Sequence, residues 1–205
     1  MANLDEHIQT MKAQNINVEK TQLMIGDALW VARTKAGPTV DYVLDFIVER
    51  KRLDDLTMSI KDGRYRKQKF FMTQAGVSNL IYLSEGQIIK ADNFKMLNSA
   101  MIQTQVFDGF LTIEIEKAKE VFSMYVYLTE AITRRYSSMS YSPRAAVPQT
   151  FPEFQRRVKL AMDSDKTVNH VWGLMMMEAD KVGHVAAKGT SSRCDSVRVV
   201  CAASL

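Results

Sequence analysis

The chain has 205 residues, 46% of them hydrophobic and 24% charged, which suits one well-buried domain plus an appendage. Its formal charge of +4 permits nucleic-acid binding without establishing it, since many unrelated enzymes are as basic. Two cysteines, Cys194 and Cys201, exclude a disulfide framework, and neither a signal peptide nor an apolar run of the ~18 residues a membrane helix needs is found, so the cell interior is the expected compartment.

In chain order, apolar Leu4, Ile8 and Met11 have helical spacing over residues 4–14. Strands are expected near 18–25 and over 28–33, a turn at Gly37-Pro38, and a second strand over 41–51 that closes a hairpin. A helix from Leu53 to Ile60 should end at Asp62-Gly63, followed by a basic helix from Arg64 to Gln74. A buried strand over 77–83 follows the Gly76 turn; 93–106 reads as helix, 110–115 as strand and 117–136 as helix. Alternating strands and helices predict an α/β layered domain over residues 1–138. Residues 139–149 change composition and read as a linker, and residues 150–205 as a helical region with an irregular tail.

The chemistry concentrates at Glu49-Arg50-Lys51. Side chains alternate along a strand, so Glu49 and Lys51 share one face while Arg50 points to the other. A carboxylate beside a lysine, joined by a second carboxylate such as Asp27, suits Mg²⁺ binding and phosphodiester hydrolysis. Asp45, on the same face as Glu49, is either a further carboxylate of the site or a hydrogen-bond acceptor at the strand entry. Asp54 is expected to face solvent in the first helical turn, where the helix dipole favours it. Arg64, Arg66, Lys67 and Lys69 form a basic cluster, either contacting DNA phosphates or lying on a solvated helix face. The three histidines and two cysteines have no zinc-site spacing.

The stretch from Gly26-Asp27 to Glu49-Arg50-Lys51-Arg-Leu-Asp-Asp55 resembles the Gly-Asp…Glu-Arg-Lys-x-x-x-Asp signature of the XPF family of structure-selective DNA endonucleases. Ser59-Ile-Lys-Asp-Gly-Arg64, Gln68-Lys-Phe70, Ile81-Tyr-Leu83 and Thr104-Gln-Val-Phe-Asp-Gly-Phe110 narrow the resemblance to the catalytic, junction-cutting subunits of that family, over residues 17–180. The resemblance implies a restriction-endonuclease-like α/β nuclease domain followed by a helix-hairpin-helix region. It implies Mg²⁺-dependent cutting of 3′ flaps, forks and nicked Holliday junctions, with Mn²⁺ able to substitute. A heterodimer with a non-catalytic Eme-type subunit, acting in the nucleus, is also implied. Carried onto this sequence, the catalytic set is Asp27, Glu49, Arg50, Lys51 and Asp55. Asp27 and Glu49 are the expected metal ligands, and Arg50 is expected to form a buried ion pair with Asp55. Arg64, Arg66, Lys67 and Lys69 are the expected DNA contacts.

The sequence departs from the family pattern in three places. Phe71 stands where an arginine is usual. The family strand with an Asp-x-x-Glu pair ahead of the first helix has no counterpart after Met1, and Asp5 and Glu6 do not replace it. Lys181–Gly189 is at best a degenerate first hairpin, and a second is not recognised. The resulting expectation is a chain truncated at both ends with poor or no metal affinity, the alternatives to an active catalytic subunit being a catalytically inactive truncated form or a non-catalytic DNA-binding and dimerisation subunit of the same fold.

Overall fold

A computed structural model describes residues 4–35, 37–138 and 149–178, with side chains from Ile8 to Asp163 and Ser164 within those segments. The expected linker lies almost wholly outside the described residues, as do the hairpin remnant at 181–189 and the tail. The chain divides into two compact units, Met1–Val158 and Lys159–Leu205, and every side-chain contact below belongs to the first.

A four-stranded sheet forms the centre. Strands β1 (Ala28–Arg33), β2 (Asp41–Arg52), β3 (Asn79–Glu85) and β4 (Leu111–Ile115) lie side by side in that order. β1 and β2 form the expected antiparallel hairpin, whereas β2–β3 and β3–β4 are parallel. A parallel neighbour needs a crossover. Helices α2 (Leu53–Lys61) and α3 (Arg64–Gln74) supply it between β2 and β3. Helix α4 (Phe94–Ile102), continued by a π-helical turn over Gln103–Phe107, supplies the next. Helices α1 (Leu4–Ala13), α5 (Ala118–Ser138) and α6 (Phe151–Glu178) complete the order.

The two faces of the sheet follow from strand alternation. Val48, Ile81 and Leu83 pack against Ile115 and Val121, with Trp30, Phe46, Phe122 and Leu128 around them, so this face meets α5. Trp30 fixes the contact by donating its Nε1–H to Thr129 Oγ1 at 2.8 Å. Ile47, Glu49 and Lys51 belong to the opposite face, together with Tyr82, whose ring meets Tyr65 of α3 edge-on at 5.4 Å. Ile47, Leu56, Met72 and Tyr82 are fully buried. Burying such side chains contributes about 1.5–3 kcal/mol each.

One expected strand is absent. Residues 18–25 have no strand conformation. Backbone groups that a strand would pair are instead met by one side chain of α6. Gln155 Nε2 donates to the Gln22 carbonyl at 2.9 Å, and Gln155 Oε1 accepts from the Met24 amide at 3.3 Å. The period-two pattern there does not reveal that the partner is a helix side chain.

Candidate active site

The site starts with the turn before β1. Gly26 adopts a left-handed φ of 76°, and a Cβ there would lie 2.7 Å from Ile47 Cγ1. Glycine therefore lets the chain pass directly over β2 and enter β1. The next residue is pinned at both ends: the Asp27 amide donates to the Val48 carbonyl at 2.7 Å, and Asp27 Oδ2 accepts the Arg50 amide at 2.7 Å. Asp27 is thus held across β2 beside Glu49.

Glu49 lies in the middle of the parallel ladder, in register with Tyr82 of β3. Its side chain is only 5% exposed and meets Lys51 Nζ at 3.2 Å. The Gln68 side chain of α3 also lies near its carboxyl and favours the charged form. Burial and the neighbouring Asp27 charge push the Glu49 pKa up to about 7, outweighing the opposing pull of Lys51 and Gln68. Asp27 is exposed as a residue, yet desolvation of its carboxyl raises its pKa as well, against the Arg50 amide, Lys51 and Arg50. Two carboxyls and one ammonium leave excess negative charge in a desolvated place. Next to them the Tyr82 hydroxyl and Gln68 Oε1 are buried without a hydrogen-bond partner among the described residues.

This donor set fits a hard divalent cation. Mg²⁺ takes one or two protein carboxylates and fills its remaining positions with water and substrate phosphate. A cation held by Asp27 and Glu49 would offset the repulsion that raises the Glu49 pKa. Among the described residues no group of three or more acidic, histidine or cysteine side chains forms a fuller metal site.

Arg50 points away from Glu49 and Lys51, as alternation predicts, but its partner is not Asp55. Its guanidinium binds Glu85 Oε2 through Nε at 3.0 Å and through a second, shorter contact from Nη2. Asp55 is exposed in the first turn of α2. Glu85 ends the parallel neighbour β3, 35 residues further on, so sequence proximity favoured the wrong acid. Asp45 is the strand-entry acceptor: its Oδ1 accepts the Ser78 amide at 2.5 Å and its Oδ2 accepts from Asn79 at 3.2 Å. Asp54 faces solvent and pairs with Arg52 at 3.3 Å.

The basic cluster divides. Arg64, Arg66 and Lys67 are exposed on α3. Lys69 is not available as a surface phosphate contact, because its side chain is 6% exposed. It lies over the Tyr65 ring at 4.0 Å and binds Thr104 Oγ1 at 2.7 Å and Asp108 Oδ2 at 2.5 Å. Tyr65 also reaches Thr104 and donates to the Ala100 carbonyl at 3.0 Å. Burial pushes the Tyr65 pKa up to about 12 and lowers that of Lys69, while Asp108 raises the latter. The π-helical turn presents Thr104 and Asp108 together to Lys69.

Comparisons with known proteins agree with this fold. The model of the ERCC4 domain matches residues 2–130. Crossover junction endonuclease MUS81 of Arabidopsis thaliana is 35% identical over 170 residues, which are 82% of this chain and 26% of that protein. Structure-specific endonuclease subunit MUS81 of Homo sapiens is 38% identical over 142 residues, 64% of this chain and 25% of that protein. The chain thus spans about a quarter of the length of the curated relatives it matches. Among solved structures, XPF from Aeropyrum pernix shares the fold at 17% identity, with a TM-score of 0.50 over 93% of this chain and 92% of that one. The chain belongs to the ERCC4 domain family, with the nuclease fold of XPF.

Proposed function

We propose that this chain is the catalytic part of a structure-selective DNA endonuclease that hydrolyses phosphodiesters at 3′ flaps, forks and nicked Holliday junctions. The observation that carries the reading is the Asp27/Glu49/Lys51 group, two carboxyls and a lysine gathered about the buried Glu49 of β2 in an ERCC4-type fold. Mg²⁺, with Mn²⁺ as a substitute, would be held by Asp27 and Glu49 and would supply Lewis-acid polarisation of the phosphoryl oxygen and a water of lowered pKa.

The residues of the chain have the remaining work. Asp27 is oriented by the Arg50 amide. Glu49, whose pKa burial and the Asp27 charge push up to about 7, would be held as the carboxylate by a bound cation. Lys51 brings an ammonium to the same place, where it stabilises negative charge developing on the phosphoryl group. Arg50 has a supporting role, tying the end of β2 to the end of β3 through Glu85. Asp55, which the family signature includes, is exposed in the first turn of α2. Arg64, Arg66 and Lys67 line the outer side of α3 and supply sequence-blind phosphate contacts.

An Eme-type non-catalytic subunit is the expected partner and the nucleus the expected location. The names of the relatives, crossover junction endonuclease and structure-specific endonuclease subunit, support the endonuclease reading, and the presence of Asp27, Glu49, Lys51 and Asp55 together disfavours a non-catalytic role. The test compares Mg²⁺-dependent cutting of a 3′-flapped duplex and a linear duplex by this chain with an Eme-type subunit. Cutting confined to the flapped substrate is expected. Equal cutting of both would remove the structure-selective assignment.

A further inference from the structure

Helix α3 carries an aromatic ring where its own geometry calls for a polar side chain. Tyr65, Lys69 and Met72 are buried and mark the side turned to the sheet, where Tyr65 meets Tyr82 of β3. At about 3.6 residues per turn, Phe70 falls on the other side, one turn beyond Arg66 and Lys67. It is 44% exposed, and its ring touches the buried Phe71 ring edge-on, with centroids 5.5 Å apart. The ring is therefore anchored at one edge without being enclosed. Around it α3 bears Arg64, Arg66 and Lys67, all exposed, and the helix contains no acidic residue. Such a surface is complementary to a polyanion. A protein partner needs a contiguous apolar core of several side chains, whereas the exposed neighbours of Phe70 on this side, Arg66, Lys67, Thr73 and Gln74, are all polar. One ring framed by cations matches the face of one nucleic-acid base.

We infer that the Phe70 ring is a platform on which one unpaired base of the DNA stacks, brought there by phosphate contacts of Arg64, Arg66 and Lys67. The inference deepens the structure-selective reading and rests on it. In a continuous duplex both faces of each base are covered by its neighbours, and a flap or branch frees one. Phosphate contacts are blind to that difference, and the stacking ring is not. Phe70 is thus a specificity-determining residue, favouring branched over linear DNA.

The test is binding of a duplex with a single-stranded 3′ flap and of a linear duplex, with a chelator present, by this chain with an Eme-type subunit. Phe70→Ala should weaken flap binding about 5–100-fold, the worth of one base–aromatic stack, and leave linear-duplex binding and the salt slope unchanged. Phe70→Tyr, which keeps the ring, should bind the flap as the parent does. A flap of abasic residues should reproduce the loss in the parent and add nothing to Phe70→Ala. Arg66→Ala, by contrast, should weaken both substrates and reduce the salt slope by about 1. Unchanged flap affinity in Phe70→Ala, equal loss on both substrates, or a loss as large in Phe70→Tyr overturns the inference. Loss of the heterodimer in Phe70→Ala, read by gel filtration, overturns it too, because the ring would then be a protein contact. The abasic flap needs no variant, and unchanged parent affinity for it overturns the inference as well. If the parent itself binds flap and linear duplex equally, the structure-selective reading fails along with it. If the parent prefers the flap and Phe70→Ala does so to the same degree, only the role of Phe70 fails.

Discussion

Replacing Glu49 by glutamine should stabilise the metal-free protein at alkaline pH. The carboxyl is buried at the sheet centre, and its pKa is raised from 4.5 to about 7. Below the lower value both folded and unfolded chains carry the proton, and its full stabilising effect is present. Between the two values the folded chain retains a proton that the unfolded chain has released, so stability falls as pH rises. Above about 7 the folded protein bears the whole penalty of a desolvated carboxylate. At about 1.4 kcal/mol per pH unit the interval corresponds to about 3 kcal/mol. The attraction of Lys51 is already contained in that balance and is outweighed. Glutamine is neutral throughout, so Glu49→Gln should exceed the parent by about 3 kcal/mol at pH 8, with the difference closing toward pH 4. Urea unfolding with a chelator, at a series of pH values, measures it through the midpoint at constant slope. A variant less stable than the parent at pH 8 would refute the reasoning, because Glu49 would then be a net stabilising anion.

Three further outcomes follow from the same structure. A double-mutant cycle between Arg50 and Glu85 should give a coupling of about 1–2 kcal/mol in urea unfolding, and one between Arg50 and Asp55 should give none beyond error. Asp108→Ala leaves Lys69 as a buried charge without its carboxylate and should cost about 3 kcal/mol, much of it recovered by adding Lys69→Met, as thermal or urea unfolding would show. Gly26→Ala forces a side chain into a left-handed backbone and against Ile47, and should cost about 1–3 kcal/mol while lowering divalent-ion affinity, readable by calorimetry.

What could be read from the sequence follows from the range over which each interaction acts. Alternation along β2 separates Glu49 and Lys51 from Arg50, because period two is a local property of the strand. The helix bounds at Asp62-Gly63 are equally local: Gly63 takes a left-handed φ of 82°, where the chain turns from α2 into α3. The partner of Arg50 is not local. It is set by the parallel register that places Arg52 opposite Glu85, and register between β2 and β3 is fixed only after the intervening helices pack. Lys69 misleads for a related reason. A lysine in a basic helix reads as exposed, and only the π-helical turn, with Thr104 and Asp108 facing it, makes its burial tolerable. Gln68 gave a partial signal, since it stands within the Gln-Lys-Phe motif. Its approach to Glu49, however, requires α3 to lie on the sheet face opposite α5.

The central claim is that Asp27, Glu49 and Lys51 form a metal-dependent phosphodiesterase centre. Mg²⁺-dependent cleavage of a 3′-flapped duplex by the chain with an Eme-type subunit, beside a Glu49→Ala version of equal fold and DNA affinity, tests it most directly. The account predicts cutting by the parent that the substitution abolishes. Cutting that survives Glu49→Ala, or none by a folded parent heterodimer that binds the flap, would contradict it.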